Sequence, residues 1–420
     1  MRKVYADTVV IGGGAAGLAA AIKLKDLSVN KVILVDDRER LGGILPQCIH
    51  TGFGVHYSKR DLTGPEFAEE LSSFVLDRGV DVFLNSYALE LRYVDYYEKS
   101  VIVASRKGLI DVRTRTVIVA TGARERTVYE IGIFGDRPAG VYTAGMVQAL
   151  MDLYGVMPGK EVVIVGSGDV GLIVARRLAM QGATVKAVIE VKPWPGGLIR
   201  NIVQCLEDFG IPLLLSHAVR RIVGHERVER VIVTKVDDKL SPIPNTEFEI
   251  KCDTVVIAAG LKPEVQLLER AGALIDPVTG GPVVNEYLET SLPGVFVAGN
   301  ALVINDLVDT VAEQGETAAE GAVLFMNDKL IAKYYLRVIC GSNVRFIVPQ
   351  VLMGLKEEIT LYGRVIMPMR RAVIRIPELM LSMQQAMITP AEIFKVNISE
   401  RKISKVVKLH KLTINVLESR

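Results

Sequence analysis

The chain has 420 residues, half of them hydrophobic, and 50 Lys and Arg against 48 Asp and Glu leave a net charge of +2. That length holds two or three domains. The charge offers nothing for nucleic acid, and no apolar stretch reaches the ~20 residues that span a bilayer. Cys48, Cys205, Cys252 and Cys340 are far apart, and the five histidines form no cluster. Neither an iron–sulfur nor a zinc spacing is present, so no metal is assigned and no secreted disulfide framework is expected. Arg2, Lys3 and the apolar run after them superficially resemble a signal peptide, but the glycine spacing that follows explains the same residues better. A soluble, cytoplasmic protein is the expectation.

In chain order, a strand at 7–11 runs into Gly12-Gly13-Gly14-Ala15-Ala16-Gly17, a helix over 15–27, and a strand over 31–36 ending in Asp36 with Asp37 beside it. In this G-x-G-x-x-G pattern the first glycine permits the tight turn and the second lets pyrophosphate approach the backbone. The third lets helix pack on strand, and the acid accepts from a ribose hydroxyl. A glycine-rich loop follows, from Leu41 through Gly43 to Cys48 and His50. A helix starts at Pro65, short strands fill 82–105, and a buried strand at 117–120 closes at Thr121-Gly122.

After a Gly/Pro-punctuated crossover the pattern returns 154 residues on, as Gly166-Ser167-Gly168-Asp169-Val170-Gly171. Glu190 ends the next strand 19 residues after Gly171, the spacing of Gly17 to Asp36. Two such units with matched spacing imply two bound dinucleotides. A carboxylate at Glu190 bonds the 2′-OH of NAD and repels the 2′-phosphate of NADP, with Lys192 two residues on to soften that repulsion. A helix at 198–209, a strand at 211–215 and a hairpin over 219–236 come next. The strand at 255–259 then closes at Gly260, as the earlier one closes at Gly122. A strand at 295–298 ends at Gly299-Asn300, and a helix with small residues runs to about 326.

From 331 the texture changes to β-like runs at 344–349, 358–366 and 372–376. Residues 331–420 carry 15 Lys and Arg against 6 Asp and Glu, and six of the twelve methionines. A Met-filled core and an adaptable docking surface are both open readings.

By these residues the chain resembles the two-dinucleotide-binding-domain flavoproteins, the superfamily of thioredoxin reductase, NADH oxidases and disulfide reductases. Ala120-Thr121-Gly122 matches the family's A-T-G, and Thr290 to Asn300 matches its T-x-x-x-G-V-[FY]-x-x-G-D, with Asn300 in place of Asp. The resemblance covers about residues 1–325. It implies an α/β fold of two Rossmann-like, three-layer ββα domains, the second inserted in the first, plus a small β-rich C-terminal domain. The division is an FAD domain over 1–125 and 253–328, an NAD domain over 126–252, and an interface domain over 329–420. FAD would lie on Gly12, Gly14, Ala15, Ala16, Gly17, Asp36, Asp37, Gly43, Thr121, Gly122, Gly299 and Asn300. The helix near Thr310 and Val311 would aim its N-terminus at the flavin N1/C2=O edge, where its partial positive charge favours negative charge. NAD would lie on Gly166, Gly168, Asp169, Val170, Gly171, Glu190 and Gly260.

Arg137 to Gly145 and Gly197 to Asn201 are similar to the FAD/NAD subunits of the sarcosine oxidase α and opine oxidase type. Gly43 to His50, Leu62 to Glu66 and Asn305 to Asp309 look like the flavoprotein partner of bacterial glycerol-3-phosphate dehydrogenase systems. Three functions compete. One is hydride transfer between NAD and FAD on behalf of a partner dehydrogenase subunit, with a homo-oligomer also possible. Another is a stand-alone NADH-dependent reductase of a disulfide, peroxide or oxygen, with or without Cys48 as the catalytic thiol. The last, a non-catalytic flavoprotein scaffold, has the complete second fingerprint against it.

Overall fold

In the computed structural model, which describes residues 1–419, the strand Arg2–Ile11 lies inside a seven-stranded sheet. Parallel neighbours flank it: Val9 is in register with Ile33 of Val32–Val35 on one side and with Val117 of Gly108–Val119 on the other. Val9, Val10, Ile33, Leu34, Val117 and Ile118 are all fully buried. Strands covered on both faces read as unbroken apolar runs rather than alternating ones, which is why 7–11 and 31–36 were recognisable.

The strand expected at 117–120 is twelve residues long, Gly108–Val119. Its first half pairs antiparallel with Lys99–Ser105, which pairs in turn with Ser86–Tyr93, and its last residues pair parallel with Val295–Val297. The stretch just ahead of Val117 escapes an apolar reading because Thr114 and Thr116 are buried with partners: Thr116 Oγ1 lies 2.8 Å from Thr8 Oγ1, and Thr114 Oγ1 donates to the Asp7 carbonyl at 3.0 Å. A satisfied buried hydroxyl carries no hydrophobic signal.

Two compact units emerge, Met1–Ala123 with Pro263–Arg420, and Arg124–Lys262. The second unit holds a five-stranded parallel sheet, Val141–Thr143, Thr254–Ile257, Glu161–Val165, Thr184–Glu190 and Leu213–Leu215, and a four-stranded sheet built on the hairpin His217–Gly224 and Val228–Lys235. The return crossing thus differs from the expected 252/253. Thr254–Ile257 pairs with Glu161–Val165, Val255 against Val163, so the chain leaves this unit only after Lys262.

The segment 329–420 has an apolar core of its own, including Leu336, Leu352, Ile359, Val396 and Ile414, under a five-stranded and a three-stranded sheet. It falls in the same compact unit as the first fingerprint. Polar anchors hold it there. Arg364 reaches Asp306 at 2.6 Å, the Ile393 amide donates to the same carboxylate at 2.7 Å, and buried Glu286 accepts from the Met353 and Leu355 amides at 2.9 and 2.7 Å. Of the six methionines in this segment, Met353, Met369 and Met383 are half-buried and Met367, Met380 and Met387 are exposed. Among the described residues no helix is long and apolar enough to cross a membrane.

Lys99 is fully buried, its ammonium 4.7 Å from the Phe325 ring centre and 5.2 Å from that of Tyr93, donating to the Tyr96 carbonyl at 2.7 Å. Burial brings its pKa down to about 8 from the ordinary 10.5. The folded state therefore binds fewer protons than the unfolded one between these values, and its stability rises with pH across that window. Lys99→Met removes this dependence. Its melting temperature relative to wild type should fall from pH 7 to pH 10.5, over a range of up to about 3 kcal/mol in unfolding free energy. Parallel pH profiles for the two proteins contradict the assignment.

Candidate functional site

The first fingerprint turns sharply because its backbone has nowhere else to go. Gly12 sits at φ +105° with its α-carbon against the Ala120 carbonyl, so that a β-carbon there would lie 2.3 Å from that oxygen. A β-carbon at Gly17 would lie 1.8 Å from the Gly12 carbonyl. At Gly14 the nearest heavy atom would be the Gly43 α-carbon, 3.9 Å away. The first and third glycines therefore serve chain packing, and the second borders open space. The helix Ala15–Asp26 begins there with no side-chain cap, so its first-turn N–H groups suit an anionic ligand.

Asp36 lies at the end of Val32–Val35, 6% exposed. Its Oδ2 accepts from the Gly13 amide at 2.5 Å and its Oδ1 from the Arg38 amide at 2.8 Å. Burial pushes its pKa up, and the Arg38 and Gly13 amides pull it back. Asp37 next to it is exposed. Gly122 is at φ +73° with no atom near its missing side chain, whereas the Thr121 hydroxyl is committed to the Glu264 carbonyl at 2.6 Å. Gly299, Ala16 and Val311 converge: a β-carbon on Gly299 would meet Ala16 Cβ at 2.9 Å and Val311 Cγ1 at 3.0 Å.

Behind Gly299 is a polar network whose roles the sequence did not disclose. Gln314, fully buried on the helix Val308–Met326, accepts from the Gly299 amide at 3.1 Å and exchanges hydrogen bonds with Asn305 at 3.1 and 3.2 Å. Asn300 Oδ1 accepts from the Asn305 amide at 3.0 Å, so here the amide side chain shapes the turn. Asp309, 2% exposed in the first turn of that helix, accepts from the His56 and Tyr57 amides at 2.8 and 2.7 Å. Tyr57 donates to Glu316, which with burial holds its phenol well above the ordinary range and protonated. A cavity of about 460 Å³ opens at this helix end, with Asn305, Asp309, Thr310, His56, Ile393 and Lys395 in its wall. The one available sequence signal was the polar Asn305-Asp306 and Asp309 cluster at a helix start.

The second fingerprint repeats the first almost bond for bond. A β-carbon on Gly166, at φ +100°, would lie 2.3 Å from the Ala258 carbonyl; one on Gly171 would lie 2.8 Å from the Gly166 carbonyl; Gly168 faces open space. Glu190, 8% exposed, accepts from the Ser167 amide at 3.0 Å and from the Lys192 amide at 3.0 Å. Ser167 adds what the first site lacks. Its hydroxyl donates to Glu190 at 2.6 Å and accepts from the Gly196 amide at 2.8 Å, fixing the carboxylate from a second direction. Asp169 spends one carboxylate oxygen on the Leu198 amide and the Asn201 side chain, at 2.9 and 2.6 Å, so its side chain ties down a loop. Val170 is exposed, and Gly260 is at φ +97° over open space.

Cys48 lies in the loop after Gly43. It ends the short turn Leu45–Gln47, its carbonyl accepts from the Gly64 amide at 2.9 Å, and it forms no disulfide. His50 Nδ1 lies against the Thr51 carbonyl at 2.9 Å.

Residues 6–321 match the pyridine nucleotide-disulphide oxidoreductases, and the chain belongs to that family. That family comprises FAD-binding, NAD(P)H-using oxidoreductases. The NAD(P)H coenzyme A polysulfide/persulfide reductase of Pyrococcus horikoshii is 27% identical, over 70% of this chain and 62% of that one. The sarcosine oxidase α subunit of a Corynebacterium is 29% identical, over 76% of this chain and 33% of that one. The chain thus spans less than two thirds of the length of these relatives. The fold is that of the T. acidophilum thioredoxin reductase, at a TM-score of 0.63 and 22% identity, covering 77% of this chain and 98% of that one. Both sites fit the cofactors: each offers an uncapped helix start, a second glycine bordering open space, and a buried carboxylate beside it.

Asp36→Ala strands the Gly13 and Arg38 amides and removes a partner for ribose. With ~1–3 kcal/mol lost per unsatisfied buried group, the flavin retained per protein after gel filtration should drop about tenfold, as read from the visible absorbance. Full retention would remove Asp36 from the site.

Proposed function

We propose that the chain moves hydride between NAD and FAD as the electron-transfer subunit of a cytoplasmic, multi-subunit dehydrogenase of the glycerol-3-phosphate dehydrogenase type. The observation that carries this is a C-terminal segment with exposed Met367, Met380 and Met387 and a sequence charge of +9 over residues 331–420, built onto a unit whose fingerprint is already complete. Basic side chains steer an acidic partner, and thioethers then form an adaptable contact. The likeness to a sarcosine oxidase α subunit supports the same reading.

When bound, the two cofactors supply the chemistry, a hydride passing between nicotinamide C4 and flavin N5. The protein holds and orients them. The helix starts at Gly14 and Gly168 take the pyrophosphates, Asp36 and Glu190 take the riboses, and Ser167 keeps Glu190 in place. No side-chain acid or base is required for hydride transfer. Since Glu190 disfavours a 2′-phosphate, NAD is the nicotinamide cofactor.

A stand-alone reductase of a disulfide, peroxide or oxygen is the second reading. The likeness to a persulfide reductase and the half-exposed Cys48 thiol in the loop after Gly43 favour it. Against it, the next cysteine in the chain is Cys205, so no C-x4-C redox pair is present.

NADH should bleach the flavin about tenfold faster than NADPH, a ratio that corresponds to ~1.4 kcal/mol. Both Glu190→Ala and Ser167→Ala should narrow that ratio in anaerobic stopped-flow absorbance. Equal rates in the wild type contradict the cofactor assignment. Cys48→Ser should leave NADH-to-dye electron transfer largely intact, and a collapse with FAD still bound would transfer the weight to the second reading.

A further inference from the structure

The five-stranded C-terminal sheet runs Val351–Leu352, Leu336–Cys340, Lys411–Glu418, Met369–Ile376, Leu381–Ile388, so Leu381–Ile388 is its outer edge. Its inner side follows Met369–Ile376 in one unshifted register, from Met369 opposite Ile388 to Ile376 opposite Leu381. No described strand pairs with its outer side. The strand reads Leu-Ser-Met-Gln-Gln-Ala-Met-Ile, eight residues without a charge, a proline or a glycine.

An edge strand presents a row of unpaired N–H and C=O groups, and soluble proteins blunt such edges with lysine, proline, inward charges or short length. None of these devices is present within this strand, and eight residues exceeds the usual five or six. Ser382, Gln384, Ala386 and Met387 are exposed. At the hairpin tip Met380 is 94% exposed, the most exposed of the large hydrophobic residues described. An edge so unprotected fits a surface that is covered in use.

Charge selects the occupant. Arg370, Arg371 and Arg375 on the adjacent strand are exposed and make no ion pair among the described residues. Arg370 stands opposite Met387 and Arg375 opposite Ser382. A strand laid against the edge lies two strand spacings, ~9.6 Å, from the arginine-bearing strand, a gap that a long guanidinium side chain and a facing Asp or Glu side chain close together. A second copy docked edge to edge would bring its own three arginines towards these three. An extended acidic segment would neutralise them. We infer that Leu381–Ile388 is a β-augmentation site for an extended, Asp/Glu-bearing segment of a partner protein. The inference rests on the subunit reading for the existence of that partner, and deepens it by naming the surface and the mode of contact.

The test uses the full-length protein and two synthetic twelve-residue peptides, one alternating Glu with Val and one alternating Lys with Val. The Glu peptide should slow amide exchange across residues 381–388 and bind more weakly as salt rises; the Lys peptide should do neither. Strand N–H groups alternate in direction, so one of Met383→Pro and Gln384→Pro removes an outward donor. That variant should keep the wild-type melting temperature and bind the Glu peptide at least tenfold more weakly. Should both proline variants unfold, joint reversal by Arg370→Glu, Arg371→Glu and Arg375→Glu decides: it should exchange the two peptides' behaviour. Equal binding of both peptides, or unchanged exchange at 381–388, overturns the proposal. So does a concentration-dependent dimer that the tolerated proline abolishes, because it gives the edge to a second copy. Flavin reduction by NADH does not involve this edge, so its loss in the wild type marks failure of the hydride-transfer reading beneath the proposed function and leaves the edge result to be read separately.

Discussion

Two backbone contacts, Gly12 against the Ala120 carbonyl and Gly166 against the Ala258 carbonyl, set where each fingerprint turn crosses its sheet. Because neither glycine tolerates a β-carbon, each turn can tighten until the following helix starts directly over the strand ends. The helix starts are uncapped, and the second glycines border open space. The adjoining strand then delivers Asp36 or Glu190 to the amide of the residue just after the first glycine. Cofactor geometry in both units follows from a packing constraint that excludes every side chain but hydrogen.

The same logic explains what the sequence disclosed. Glycine spacing, strand-terminal acids and unbroken apolar runs are local, and each records a contact that admits few residue types. Hence both fingerprints, the strands carrying them and the α/β class were readable before any coordinates. The part of Gly108–Val119 ahead of Val117 was not, because Thr114 and Thr116 there obtain their partners from residues more than a hundred positions away. The Gln314–Asn305–Gly299 network was hidden for a related reason: a buried amide reads as a surface residue until its partners are placed. The C-terminal strands Leu336–Cys340, Phe394–Ser399 and Lys411–Glu418 find their partners far along the chain, although the last two alternate apolar and polar residues as half-buried strands do. The boundary at Lys262 was missed because strand membership is decided by the partner strand and not by composition.

The two carboxylates show how near-identical sites are made distinct. Asp36 is held by two backbone amides, while Glu190 has two amides and the Ser167 hydroxyl, itself fixed by Gly196. A carboxylate held from several directions has less freedom to turn away, and under the proposed cofactor assignment that would sharpen rejection of a 2′-phosphate. The Arg364–Asp306 pair and the Glu286 amide contacts show in turn that the C-terminal sheets are fastened beside the Asn305–Asp309 turn. A partner bound on those sheets would therefore rest on the same compact unit as the first fingerprint.

The proposed reaction is direct hydride passage from a nicotinamide held by the second fingerprint to a flavin held by the first, without a thiol relay. Anaerobic stopped-flow reduction with NADH deuterated at the transferred C4 position, in the wild type and in Cys48→Ser, tests it most directly. The account predicts a primary isotope effect on flavin bleaching of the same size in both proteins. A missing isotope effect, or one that disappears with the thiol, would contradict it.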